Sequence, residues 1–415
     1  MLVQSKTAVA ALGVGIALLA LLTGARALSQ HADPTCEYRT LIRDSDVYAS
    51  VGDSVKIVAS IKRGEVVRVR PGSEERDALN FGFGTGFIDK HALGAPLDGP
   101  PAQLHPVTPC PRRNLITPRP VTLYTAPDDD SPMMGVMAGN LRYPIAGLSH
   151  DRFNHLWYEI TLGDRPAFIR AQDSEQDHGI PVLTYHYLLT DVENTHFLHT
   201  STTTSDDAFN RQMAYLKEAG YTTLSLYQLE DYLHNRINLP GRAVVLTFDD
   251  GLKSVCRYAY PILKQYGFHA TAFIITSRIK AHPQPWDPNS LQFMSSGELR
   301  QIADVFDFQS HTHFLHRLGP ARRPVLFSRT LHNIELDFEH TRRALSPFNA
   351  QVWYLSYPFG GYSPTAVQAA KAAGFHMALT TQQGKVLPGD NPFTLKRLFL
   401  LRTDSIETMA ARLAN

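Results

Sequence analysis

Two adjacent carboxylates, Asp249 and Asp250, sit in the stretch Thr247-Phe248-Asp249-Asp250-Gly251. They follow the apolar run Ala243 to Leu246, which reads as a buried strand. After them comes a segment of helical period, with Val255, Tyr258, Ala259 and Leu263 on one side. Carboxylates at such an edge are fixed by the strand below yet exposed in the loop. Neighbours at a strand end point in different directions, so one carboxylate can hold a metal while the other faces substrate or water. Taken alone, Asp-Asp-Gly is also what a solvated turn looks like.

Two further strand ends carry groups of the same kind. Ser310-His311-Thr312-His313-Phe314-Leu315-His316 ends one strand and Tyr185-His186 another. One carboxylate and two imidazoles make the three-ligand set of a catalytic divalent site, with positions left for water and substrate. Zinc suits two histidines and a carboxylate; cobalt, nickel, manganese and iron also fit. His311 and His313, two apart, share a face of a strand. His311 and His316, five apart, meet if the chain curls back after the strand. Spacing alone leaves both pairs open.

These groups converge only if the strands carrying them lie side by side. From residue 181 onward the pattern alternates strand and helix. Strands are expected at 182–185, 243–248, 270–275, 306–310, 352–357, 375–380 and 395–400. Helices are expected over 205–219, with Phe209, Met213 and Leu216 on one face, up to Gly267, and over 329–345 and 364–373. Ser295-x-x-Glu298 is a capping box. Six or seven such units imply a parallel sheet curled into a distorted, partly closed (β/α)7 barrel, which gathers every strand's C-terminal end at one mouth.

The preceding half has another texture. Residues 37–96 and 114–171 read as short strands, among them 55–59, 66–69, 121–124, 143–146, 157–161 and 167–170. Gly86-Phe87-Ile88 and Ala167-Phe168-Ile169 echo each other near their ends. This suggests a tandem pair of small all-β barrels, which resemble bacterial SH3-like domains, joined by a Pro/Gly-rich linker at 97–113, with a polar linker at 172–179 before the strand–helix half (181–415). A hydrophobic fraction of 43% and charged fraction of 19% suit a folded chain with a sizeable core. A net charge of +1 gives no electrostatic case for nucleic acid or a membrane surface as partner. Residues 7–23 carry no charge and Ala25-Arg26-Ala27 follows them. Residues 1–27 therefore read as an export signal or an uncleaved anchor, which puts the body in the periplasm or cell envelope. Membrane contact follows only if that segment is retained. Cys36 and Cys110 flank the first β unit and could pair in an oxidising compartment; Cys256 reads as a buried, inert thiol.

Taken in order, Pro181-Val182-Leu183-Thr184-Tyr185-His186, Phe209-Asn210-Arg211-Gln212-Met213, Leu246-Thr247-Phe248-Asp249-Asp250-Gly251, Ser310-His311-Thr312 with His316, Tyr357-Pro358-Phe359-Gly360 and Leu395-Lys396-Arg397 resemble the polysaccharide deacetylase family (NodB homology, carbohydrate esterase family 4). The order, with Tyr-His ahead of Asp-Asp, is most similar to the branch acting on poly-N-acetylglucosamine. The resemblance spans residues 181 to about 402. It implies Asp249 as general base, Asp250, His311 and His316 as metal ligands, His186 as general acid, the Phe359 N–H as oxyanion donor, Arg397 near the base, and His313 as a bystander. It also implies zinc or a similar divalent ion and a polysaccharide substrate; the resemblance of the β units to SH3-like domains implies cell-wall peptide or glycan as their partner. One departure stands out. The family's Arg-Pro-Pro-Tyr-Gly motif is here Ser356-Tyr357-Pro358-Phe359-Gly360, so the arginine that orients the base is missing. Tyr187, Trp353 and Tyr362 are candidate platforms for sugar rings. The same residues admit two other readings: a glycan- or wall-binding protein whose barrel has lost turnover, and an esterase or amidase for another acylated carbohydrate.

Overall fold

The computed structural model describes residues 36–99 and 113–414. The segment 1–27, Cys110 and most of the stretch 97–113 lie outside the described residues. No described helix is long and apolar enough to cross a membrane.

Seven parallel strands form the catalytic half: β1 (Val182–Tyr185), β2 (Ala243–Phe248), β3 (Ala270–Ile274), β4 (Phe306–Ser310), β5 (Tyr354–Ser356), β6 (Met377–Gln383) and β7 (Leu395–Phe399). Each pairs with the next, and β1 pairs with both β2 and β7, so the ring closes. The expected distortion is present at two seams. A single residue pair, Ser310 with Leu355, joins β4 to β5, and the register slips between β6 and β7.

The strands are buried on both faces, as parallel strands under helices must be. Leu183, Tyr185, Val244, Leu246, Phe248, Phe306 and Phe308 face the surrounding helices. Val182, Val245, Phe273, Tyr354, Met377 and Leu395 face a second cluster with helix α2 (Leu226–Leu233, following α1 at Asp206–Glu218). Through Leu226, Leu229, Tyr232 and Leu233, α2 closes off the end away from the mouth. Tyr185 stacks on Phe248, meets Phe209 edge-on and donates to Gln212 Oε1 at 2.9 Å, which ties α1 to the first two strands.

The β half is a repeat in its pairing. In the first unit Glu37–Leu41 pairs with Val66–Val69, and Ser45–Val51 with Ser54–Ile61. In the second, Asn114–Thr117 pairs with Leu141–Pro144, and Val121–Tyr124 with Met133–Met137. The units share one apolar core and are joined where Met133–Met137 runs antiparallel to Ser54–Ile61. Gly135 permits that join, because a Cβ there would sit 2.1 Å from the Ser60 carbonyl oxygen.

The polar stretch 172–179 differs from the expected linker. Glu175–Gln176 pairs with Asn114–Thr117, and Asp177 is buried. Leu239–Pro240, just before β2, adds to the same sheet. Asp177 forms an ion pair with Arg142 at 2.8 Å and accepts from Asn114 Nδ2, Tyr232 Oη and the Gly179 N–H. One carboxylate thus clamps the β half to α2 of the barrel.

Burial raises the Asp177 pKa, but Arg142 and the three donors outweigh it, and the group lies below the usual carboxylate range. A depressed folded pKa adds stability above the unfolded value of about 3.9 that is lost as pH falls through the folded one. We expect Asp177→Asn, which leaves Arg142 buried without a counter-ion, to cost about 3–5 kcal/mol. Thermal unfolding from pH 7 to pH 2 checks this: the wild-type advantage over the variant should be constant near neutrality and vanish at the acid end.

Candidate active site

Period-two alternation aims the chemistry into the barrel. Val182, Thr184 and His186 share a parity along β1, as do Val245, Thr247 and Asp249 along β2. Gln309 and His311 at the end of β4, Tyr354 and Ser356 on β5, and Leu395 and Arg397 on β7 follow the same rule. The lower members of these columns are barrel core. The top members are His186, Asp249, His311, Ser356 and Arg397.

Asp250 is one residue out of phase with Asp249. Its backbone is left-handed, with φ 74°, and this turn brings its carboxylate back over the mouth. Its Oδ1 lies 3.5 Å from His311 Nε2 and 3.4 Å from His316 Nε2. Ligand atoms of Asp250, His311 and His316 all lie within 4.8 Å of one another. Oδ1 of Asp250 is buried with no hydrogen-bond partner among the described residues, an arrangement that suits a cation and little else. His311 Nδ1 donates to the Ser356 carbonyl oxygen at 2.8 Å, which leaves Nε2 with a free lone pair. The donor set therefore fits a divalent metal.

The loop bearing these histidines is held from below. Asp337, on α5 (Leu331–Leu345, after α3 at Tyr260–Tyr266 and α4 at Ser296–Gln301), accepts the N–H groups of His313 and Phe314 at 2.8 and 2.6 Å. His313 turns away and bonds Thr276 Oγ1 through Nδ1. The pair five apart, not the pair two apart, reaches the cluster. Three of the non-glycine residues with positive φ, Asp250, Thr312 and Phe359, lie at this rim. Such backbone costs on the order of 1–3 kcal/mol per residue and persists where surrounding structure enforces it.

Asp249 is held differently. Arg397, with no exposed surface, donates Nη1 to Oδ1 at 2.9 Å and Nη2 to Oδ2 at 2.8 Å. Its Nε donates to the Thr380 carbonyl, and Ser356 Oγ lies between Arg397 Nη2 and Asp249 Oδ2, 3.1 and 3.2 Å from each. In place of the missing motif arginine, a guanidinium from β7 forks Asp249, and the serine standing in the motif lies beside both groups. Burial pushes the Asp249 pKa up, but Arg397, His311 and His186 together hold it well below the carboxylate range. Asp249 is ionised at every working pH.

His186 Nε2 lies 3.9 Å from Asp249 Oδ2. Burial lowers its pKa more than the two aspartates raise it, so the ring is neutral near pH 7. His316 is pushed down to about 4 by burial and by His311, which keeps it a lone-pair donor. Phe359, with φ 56°, is 44% exposed and its ring centroid is 4.4 Å from that of His316. The next residue must be glycine, since a Cβ on Gly360 would meet Thr381 Oγ1 at 2.1 Å.

Of the three aromatics, only Tyr362 stays at the mouth, stacked on Tyr357. Tyr187 is buried against Phe197, Trp286 and Phe293. Trp353 precedes β5, hence lies at the opposite end of the barrel, stacked on His376. Cys256 is half-buried, and burial pushes its thiol up to about 11.

A family model described as polysaccharide deacetylase matches residues 236–378. A poly-beta-1,6-N-acetyl-D-glucosamine N-deacetylase of Staphylococcus aureus (strain MSSA476) is 27% identical over 211 residues, covering 50% of this chain and 71% of that protein. Its namesake from Staphylococcus epidermidis is 27% identical over 210 residues, covering 49% and 70%. The solved structure of IcaB from Ammonifex degensii matches with a TM-score of 0.50 and 28% identity, over 58% of this chain and 98% of that one. The barrel half of this chain carries a polysaccharide deacetylase domain. It is a deacetylase, built on the barrel that the strand pattern led us to expect.

Within this deacetylase, Ser356 and Asp337 are the contributors that spacing did not single out as positioning groups. Ser356 stood out only as a deviation from the motif, and Asp337 had no signal beyond an acid on a helix. Lysine cannot fork two oxygens. We expect Arg397→Lys to lower kcat on the order of 10²-fold with little change in KM, since Asp249 is displaced rather than the substrate site. Steady-state acetate release checks this; an unchanged kcat would show that the fork does not position the base.

Proposed function

We propose that this protein is an exported, metal-dependent hydrolase that removes N-acetyl groups from a GlcNAc-containing polysaccharide, giving acetate and a free amino sugar. The observation that carries the reading is the side-by-side placement of two unlike sites: an Asp-His-His donor set with an unpartnered oxygen, and a carboxylate locked by arginine next to it. The family membership supports the reaction type. The relatives' printed substrate, poly-beta-1,6-N-acetyl-D-glucosamine, is the first polymer to test, and exopolysaccharide or cell-wall glycan is the class. The uncharged run near the N-terminus supports export.

Asp250, His311 and His316 would hold the ion, most simply Zn2+. When bound, a divalent ion there supplies Lewis acidity, polarising an amide carbonyl and making water nucleophilic near pH 7. Asp249, ionised at rest, accepts a proton from the attacking water. That proton passes to the neutral ring of His186, 3.9 Å from Asp249, and on to the departing sugar nitrogen, so that the C–N bond breaks to an amine and acetate. The Phe359 N–H stabilises the oxyanion. Each proton transfer contributes on the order of 10²–10⁴-fold, and the oxyanion donor about 10²–10³-fold.

We expect Asp249→Asn to abolish acetate release from poly-β-1,6-GlcNAc and acetylated chito-oligomers while retaining the metal. Asp250→Ala or His311→Ala should lose metal and activity together. Metal content by mass spectrometry alongside acetate release checks both. Loss of the ion in Asp249→Asn would assign that residue to the metal and overturn the division of roles.

A further inference from the structure

The loop after β4 continues from the last histidine into a basic stretch. Residues 308–334 contain Arg317, Arg322, Arg323 and Arg329 and no acidic residue. All four arginines are exposed, and among the described residues none is in an ion pair. The loop borders the mouth, because Pro324 and Phe327 pack against Gly361, two residues beyond Phe359.

Between this loop and α5 lies an open cleft of about 340 Å3, at the lower end of the range of about 300–1,000 Å3 for small-ligand sites. Phe314, Leu315, Val325 and Leu336 give it an apolar floor, and Arg317, Arg329, Asn333 and His340 supply the polar groups. The Arg317 guanidinium lies over the Phe314 ring, 5.2 Å from its centroid, and that ring is 51% exposed. The one acid in the lining, Asp337, turns both oxygens to the N–H groups of His313 and Phe314. A half-exposed aromatic ring that carries one guanidinium over it, with a second guanidinium in the same lining, suits a sugar ring bearing a carboxylate, which arginine grips with two donors.

We propose that this cleft is an accessory subsite for a carboxylate-bearing sugar of the polymer, a short way along the chain from the sugar being deacetylated. The inference rests on the deacetylase reading above and adds to it a preference, among GlcNAc polymers, for those that carry acidic groups. The cleft is built on the same loop that carries His311 and His316, and Arg317 of its lining directly follows His316. Its concave shape favours a polymer segment over a flat membrane surface. Because the arginines repel ammonium groups, it also disfavours stretches already deacetylated.

The test compares two probes on the full chain with its metal: neutral GlcNAc oligomers and GlcNAc–glucuronic acid oligomers of equal length. Acetate release gives KM, and fluorescence polarisation gives binding separately. We expect a preference for the carboxylated oligomer of about five- to ten-fold in KM at low salt, as a few exposed charge pairs provide, shrinking toward two-fold at high salt. Arg317→Gln with Arg329→Gln should bring the ratio to about one while the metal content holds. The Arg317→Lys with Arg329→Lys pair should recover part of it. Equal KM and equal binding for the two oligomers would overturn the subsite. So would a preference that survives the glutamine variants, and so would arginine-dependent binding to free phosphate or to anionic phosphatidylglycerol vesicles without any oligomer preference. Preferential binding without acetate release from either probe would keep the cleft and sink the deacetylase reading instead.

Discussion

The site depends on one buried ion pair, the fork between Arg397 and Asp249. A carboxylate deep in a barrel is unfavourable without a partner, and a guanidinium with no exposed surface is no better. Each is tolerable because the other is within 2.9 Å at both oxygens. Their closeness fixes the top of β2 against the top of β7, across the point where β1 closes the ring. The fork also separates two adjacent aspartates into different trades. Asp249 has both oxygens engaged by Arg397, and Oδ2 by Ser356 as well, which balances its charge without a metal and leaves Oδ1 a free lone pair. Asp250 has an oxygen with nothing to accept and faces two imidazoles.

Strand parity and backbone strain supply the rest. Inward-facing positions deliver Asp249, His186, His311 and Arg397 without special geometry, because each tops a column whose lower members are ordinary core. Asp250 and His316 lie off those columns. The first is brought in by a left-handed backbone, the second by a loop whose amides Asp337 fixes. Ser356 links the halves of the site: its carbonyl sets the His311 tautomer while its hydroxyl lies between base and arginine.

Much of this was legible in the sequence because local signals agreed. Val182–Tyr185, Ala243–Phe248 and Phe306–Ser310 are strands with the expected bounds, each followed directly by a residue able to do chemistry, His186, Asp249 and His311. Ser295 caps α4 with Glu298 as its spacing implied. What failed were features that depend on distant chain. Helix α2 passed unread although Ser225 and Gln228 form a capping box, and its partners are barrel residues far along the chain. The polar stretch 172–179 looked like a linker because charge usually marks solvent; Arg142, from the β half, is what draws Asp177 inside. Trp353 looked like a sugar platform until β5 placed it at the far end of the barrel. The motif serine at 356 read as a loss for the same reason, since its compensation sits 41 residues away at Arg397.

The division of labour between the two aspartates is tested most directly by locating the ion. Crystals soaked in Zn2+ or Co2+ and measured at the metal's absorption edge would show where it sits. The account predicts one anomalous peak bonded to Asp250, His311 Nε2 and His316 Nε2, with Asp249 still forked by Arg397 and outside bonding distance. A metal bridging both aspartates, or bound through His313, would contradict it.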